Sequence, residues 1–187
     1  IVSTILSDLV IPADRIRAML LLATIEYWTV GSPAAASWCE RALGEAGEDR
    51  LLCAECHAAI ADLAPYDAGV LLDHARLAVE LIGHDTDLAD VLTNALKNVA
   101  YHEFRLGQGL SIEVLQRAIG VEQNSATLPV MERVGMYMGL LLRFAGRFAE
   151  ARRWLAGMAH CAPDDGNDTP IPLTCGHLAL LDSCVAS

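Results

Sequence analysis

The sequence predicts an all-α protein built as a solenoid of helical hairpins, and two observations support this prediction. Apolar residues recur at helical spacing from about residue 15 to residue 159, and alternating β-strand patterns are absent from the sequence. Turn signals interrupt the pattern near residues 31, 66, 107 and 146, which lie 35, 41 and 39 residues apart. Spacing of this order indicates stacked helix pairs, because each pair can bury its apolar face only against its neighbours.

A small residue recurs seven positions before each turn, and it refines the prediction. These positions hold the following residues: Thr24, Ala59, Ala100 and Gly139. Small side chains let two helices approach closely, so we expect these residues between paired helices. The repeat length is close to the ~34 residues of tetratricopeptide (TPR) repeats. The sequence therefore predicts a degenerate TPR-like solenoid.

The expected repeat units form one domain of about four helix pairs plus a terminal helix. Their approximate limits are 12–47, 49–83, 86–120, 129–161 and, for the start of a fifth unit, 170–187. Ser32, Asp67 and Ser111 are expected to cap helix N-termini, because their short side chains accept hydrogen bonds from free backbone amides. The acidic stretch Asp85–Asp90 lacks the glycine and terminal glutamate of a calcium loop, so we interpret it as stabilising a helix N-terminus.

Charge and composition exclude several classes of protein. The 187 residues carry a formal net charge of −11, with a single lysine, which argues against direct contact with a nucleic acid backbone. The sequence contains no apolar run of the ~18 residues that a membrane span requires. Most of the six cysteines fall within helical patterns rather than in a disulfide-rich, loop-rich framework. These features predict a reduced, cytoplasmic protein that does not contact membranes.

The two ends of the sequence suggest a part of a longer protein. The chain begins at Ile1 without an initiator methionine, and Leu178–Val185 is an apolar segment without a helix stop signal. We therefore expect a fragment that can self-associate through the Leu178–Val185 end, because solenoids require polar caps.

Motifs with catalytic or cofactor chemistry give weak signals. Cys53–His57 matches the C-x-x-C-H string of haem attachment, but it lies within a predicted helix. A zinc site at this string would require further ligands, and neither His74 nor Cys39 lies at a signature spacing. The sequence also lacks a phosphate-binding loop and a nucleophile elbow. We expect no catalytic residue, metal or cofactor in this segment, and a helical carboxylate–metal lyase is the least favoured alternative.

One set of residues points to binding. In a TPR-like stack the first helix of each pair lines the concave surface, and counting back from the turns places particular residues there. The candidate groove residues are Trp28, Asn94, Lys97, Tyr101, Phe104, Arg105, Arg133, Met136 and Arg143, with Leu140 and Phe144 beside them. A groove of aromatic and cationic residues fits an acidic peptide, a phosphate-bearing metabolite or a partner helix. The alternative is that these are ordinary solvated residues or contacts to neighbouring repeats.

Several phrases of the sequence carry a resemblance to a known family. They are Leu20–Trp28, Glu40–Leu43, His74–Leu81, Leu115–Ala118 and Gly139–Arg152. Together they resemble the TPR-like middle region of large ATP-binding LuxR-type (LAL/STAND) transcriptional regulators of the actinobacterial type. The resemblance implies a sensor, interaction and oligomerisation segment that relays an inducer or partner signal to flanking ATPase and DNA-binding domains. It also implies that ATP binds only in a flanking domain. The alternative is a TPR scaffold that docks a protein or peptide without a regulatory switch.

Overall fold

The computed structural model describes residues 9–83, 85, 87–122 and 133–161, and all regular structure within them is helical. This confirms the predicted all-α class. The helices in these ranges are α1 (Pro12–Thr29), α2 (Ser32–Ala46), α3 (Arg50–Leu63), α4 (Ala68–Ile82), α5 (Ala89–Arg105), α6 (Ile112–Glu122), α7 (Val134–Phe144) and α8 (Phe148–Cys161). The expected fifth unit at 170–187 and the Leu178–Val185 end lie outside the described residues.

The helices pack as hairpins arranged in two layers. Each helix contacts the next one along the chain, and short connections such as Val30–Gly31 make contacting neighbours antiparallel. The first helices of the pairs also contact one another, α1 with α3, α3 with α5 and α5 with α7. We call α1, α3, α5 and α7 the inner helices. The largest apolar core extends from Ala54 of α3 to Leu155 of α8, and smaller clusters hold α1–α4 together.

Helix capping agrees only in part with the sequence prediction. Asp67 caps α4 as expected, because its Oδ1 accepts hydrogen bonds from the amides of Gly69 and Val70 at 2.9 and 3.1 Å. The capping role of Ser32 was predicted wrongly, since α2 already includes Ser32 and the cap position is Gly31. Gly31 has a φ of 122°, a conformation that a residue with a side chain rarely adopts.

Polar side chains lie at the two other predicted N-termini. The hydroxyl of Ser111, just before α6, donates a hydrogen bond to the carboxylate of Glu103. Asp85 Oδ1 accepts a bond from the amide of Asp87 at 2.9 Å, which closes a turn ahead of α5. Asp90 lies in the first turn of α5, where its negative charge interacts favourably with the positive end of the helix dipole.

The small residues that were predicted to lie between paired helices fall into two groups. Ala100 is fully buried, and a Cβ added to Gly139 would lie 2.6 Å from Leu155 Cγ of α8, so these two allow the close approach that the sequence suggested. Ala59 is half-buried. Thr24 was predicted wrongly, because it is exposed and its hydroxyl donates to the carbonyl of Leu20.

The reason for the Thr24 error is the register of α1. Ile16, Met19 and Ala23 form its fully buried face, at intervals of three and four residues. Thr24 follows Ala23 and is therefore rotated about 100° around the helix, away from that face.

We predict that Gly139→Ala lowers the free energy of unfolding by about 1–3 kcal/mol, because the added methyl group collides with Leu155. Gly157→Ala in α8 is the matched control, since a Cβ there meets no atom within 4 Å. The control should raise stability by roughly 0.5–1 kcal/mol through helix propensity. Urea denaturation measures both effects, and equal stability changes in the two variants would contradict close packing at Gly139.

Candidate binding groove

The inner helices border two adjacent cavities with volumes of about 410 and 540 Å³. Both cavities are lined by Tyr27, Asp62 and Tyr137, so they form two compartments of one groove. We call the smaller one the Phe144 compartment and the larger one the Trp28 compartment, after the residues that distinguish them. Nearly all lining residues belong to the inner helices, which is where the repeat pattern put the groove.

The groove concentrates the aromatic residues of a chain that has few of them. Of ten aromatic residues, the described lining includes five: Tyr27, Trp28, Tyr101, Tyr137 and Phe144. Trp28 is 79% exposed and Phe144 is 58% exposed. Large apolar side chains that stay open to solvent in a concave surface are typical of ligand- or partner-binding sites.

Lys97 lies in the groove as predicted, but its side chain is buried rather than exposed to solvent. It lines the Trp28 compartment together with Asn94, yet only 3% of its surface is exposed. Its Nζ lies 4.5 Å from the centroid of the Tyr137 ring, a cation–π distance. Lys97 therefore contributes to the compartment wall as a largely buried cation held against the Tyr137 ring.

Three other candidates line the Phe144 compartment. Tyr101 is half-buried, and the guanidinium of exposed Arg105 lies 5.7 Å from its ring centroid. Met136 is 1% exposed and belongs to the apolar core as well as to the floor of the compartment. Leu140 also lines this compartment.

Three predicted groove residues line neither compartment. Phe104 packs against the main apolar core, Arg133 occupies the cap position before α7, and Arg143 lies over the Phe144 ring at 5.1 Å. The prediction took two adjacent residues near each helix end, but adjacent residues are about 100° apart on a helix. Only one of each pair, Arg105 and Phe144, faces the groove.

The sequence analysis missed the carboxylates of the groove. Glu55, Asp62 and Asp90 line the Trp28 compartment, and Asp62 also lines its neighbour. Asp62 and Asp90 are exposed, so the accessible charge in the Trp28 compartment is mainly negative. Glu55 and Asp62 are seven residues apart, which puts them on one face of α3, and this spacing in a mainly apolar helix was the signal that could have identified them.

An ion pair between exposed Arg17 and buried Glu55 joins α1 to α3 beside the Trp28 compartment. Glu55 is 9% exposed, and its carboxylate accepts hydrogen bonds from Arg17 Nη2 at 2.8 Å and Arg17 Nε at 3.1 Å. The hydrogen bond and the charge of Glu55 raise the pKa of Arg17. This two-pronged geometry fixes the position of the Glu55 carboxylate in the groove wall.

His102 links α5 to α3 beneath the Phe144 compartment. It is 2% exposed, and its Nε2 lies 3.0 Å from the carbonyl oxygen of Ala61, which can only accept a hydrogen bond. Its Nδ1 is buried without a hydrogen-bond partner. Burial is the largest cause of a lowered His102 pKa, and Arg105 lowers it further.

The C-x-x-C-H string lies in the middle of α3, as the helical pattern predicted. Burial raises the pKa of the Cys56 thiol to about 12, so this thiol stays protonated at neutral pH. The described residues contain no group of three or more His, Cys, Asp or Glu side chains that could hold a metal ion. His74 nevertheless lies beside His57, with 2.8 Å between their Nδ1 atoms, although the sequence spacing gave no reason to pair them.

Comparisons with known proteins leave the family of the chain open. No family model, no curated protein and no solved structure matches it. Within the described ranges, none of the helices has the length and apolar character needed to cross a membrane.

We predict that stability falls on acidification because the pKa of His102 is lowered from 6.5 in the folded chain. The unfolded chain then binds more protons, so the free energy of unfolding decreases as pH falls through 6.5 and levels off below the folded pKa. His102→Gln keeps a donor for Ala61 without titrating, and it should reduce this decrease. His57 and His74, whose pKa values are also lowered by burial, account for the remainder.

Urea denaturation between about pH 5 and pH 8 measures this dependence. An identical pH dependence in the wild-type chain and the His102→Gln variant would contradict the assignment to His102.

Proposed function

We propose that this chain is a non-catalytic, TPR-like binding segment of a cytoplasmic transcriptional regulator, with the groove of the inner helices as its ligand surface. The observation that carries the proposal is the concentration of five aromatic residues in that groove, of which Trp28 and Phe144 are exposed. The likeness of the sequence to LuxR-type regulators supplies the regulatory context, in which ATP and DNA bind to flanking domains.

The size of the groove supports a small-molecule or peptide ligand. Each compartment falls within the range of about 300–1,000 Å³ that is usual for small-molecule sites. Because the compartments share Tyr27, Asp62 and Tyr137, a longer ligand can occupy both. In the Trp28 compartment the lining favours apolar or aromatic ligand surface over phosphate, since Lys97 is buried and Asp62 and Asp90 are exposed. Among the described lining residues, the exposed cation of the groove is Arg105, which lines the Phe144 compartment.

A relay to flanking domains needs a ligand that distinguishes two states of the segment. The groove is suited to this because a ligand filling both compartments contacts α1, α3, α5 and α7 together. Such a ligand stabilises one relative arrangement of the four inner helices, and that preference is the coupling free energy available to the flanking domains.

A scaffold without a switch is the second candidate. The exposed rings of Trp28 and Phe144 would equally suit the apolar face of a partner helix. The two functions differ in coupling, since a scaffold binds its partner with the same affinity whatever the state of its flanking domains.

A thermal-shift screen of metabolites and peptides tests the groove. At 100 times its Kd a ligand adds about 2.7 kcal/mol of stability, and a chain of this length gains roughly 5–10 °C in Tm. The Trp28→Ala/Phe144→Ala variant should lose the shift while remaining folded, because both side chains are largely exposed. Leu77→Ala and Leu106→Ala are matched controls, since these exposed apolar residues line neither compartment.

A Tm shift that survives in the Trp28→Ala/Phe144→Ala variant would contradict the groove as the binding surface, and so would loss of the shift in a control variant. For the regulatory role, the measurement is ligand affinity in the full-length protein with and without ATP. A difference of about fivefold or more supports the switch, and equal affinities favour the scaffold.

A further inference from the structure

The side chains of His57 and His74 form a pair that lies outside the proposed binding groove. His57 lies on α3 and His74 on α4, and neither lines the two compartments. Their Nδ1 atoms are 2.8 Å apart, and both rings are only half-buried. The ring of Tyr66 stacks on His74, and its hydroxyl donates to Glu40, so this side of the pair is held by α2 as well.

We propose that His57 and His74 form a two-histidine chelate for a divalent transition-metal ion of the Ni²⁺ or Cu²⁺ type. Two imidazole nitrogens from adjacent antiparallel helices provide two of the ligands, and the half-exposed position leaves the remaining coordination sites to water.

The separation of the nitrogens favours one class of metal. With metal–nitrogen bonds of about 2.0–2.1 Å, nitrogens 2.8 Å apart subtend an angle of roughly 85° at the ion. This is close to the right angle between neighbouring ligands in square-planar or octahedral coordination, which Ni²⁺ and Cu²⁺ adopt. A tetrahedral zinc site would need a separation of about 3.3 Å.

The proton balance of binding follows from the hydrogen bond between the rings. In the metal-free pair one Nδ1–H donates to the other Nδ1, and each neutral ring carries one proton. Metal binding requires both Nδ1 lone pairs, so the shared proton moves to Nε2 of its own ring through solvent. Both rings stay neutral, and no net proton is released.

The nearby side chains limit the alternatives. Cys53 lies one helical turn before His57, and its Sγ contacts the carbonyl of Gly47 at 3.4 Å rather than the histidines. Cys56 is buried and protonated. Among the described residues no group of three or more His, Cys, Asp or Glu side chains could hold a metal ion, so the two imidazoles are the ligands that α3 and α4 present together.

Ni²⁺ titration of the tag-free, reduced 187-residue chain tests the proposal by calorimetry and by Tm. Ni²⁺ should raise the Tm of the wild-type chain because chelation cross-links α3 to α4. His57→Asn and His74→Asn keep an amide for hydrogen bonding but remove the chelate, and each should lower Ni²⁺ affinity to that of the double variant. Circular dichroism checks that these variants fold.

Tyr66→Phe and Cys53→Ser are the matched controls. Tyr66→Phe keeps the ring against His74 but removes the hydroxyl, and Cys53→Ser removes the nearest thiol of the same helix face; both should bind Ni²⁺ like the wild type. Three outcomes overturn the proposal: unchanged Ni²⁺ binding in the double histidine variant, loss of binding in Cys53→Ser, or tighter binding of Zn²⁺ than of Ni²⁺. Because neither histidine lines the groove, these outcomes are independent of the ligand screen.

Discussion

Close packing through small residues is the constraint on which the arrangement of the inner helices depends. The buried residues of α3 and α5 include Ala54, Ala58, Ala61, Ala95 and Ala100, and Gly139 fills the same role between α7 and α8. Small side chains allow neighbouring helix backbones to approach closely. Large apolar residues then pack elsewhere, either in the core between the layers or, as with Trp28 and Phe144, on the open side of the inner helices.

The charged side chains of the groove differ in burial, and burial decides which of them are accessible. The Glu55 carboxylate pairs with the Arg17 guanidinium, and the Lys97 ammonium lies against the face of the Tyr137 ring. Glu55 and Lys97 are 9% and 3% exposed, so each close partner offsets the cost of taking a charge out of water. Asp62 and Asp90 are exposed in the Trp28 compartment, so its accessible charge differs from the cationic surface that the sequence suggested.

The all-α class, the turns and the inner position of the groove could be predicted because they depend on local signals, such as Gly31 and the helical spacing of apolar residues. The direction in which individual side chains point from a helix was predicted less accurately. A shift of one residue rotates a side chain by about 100°, and this accounts for the errors at Thr24, Phe104 and Arg143. Burial of Lys97 and the pairing of His57 with His74 depend on contacts between helices, which spacing within one helix does not encode.

The three tryptophans provide the most direct test of the central claim that the inner groove is the binding surface. Trp28 lines the groove, whereas Trp38 and Trp154 pack against apolar clusters elsewhere. In an NMR titration with a ligand found by the screen, the indole N–H signal of Trp28 should shift while those of Trp38 and Trp154 stay in place. A shift of Trp38 or Trp154 without one at Trp28 would contradict the account.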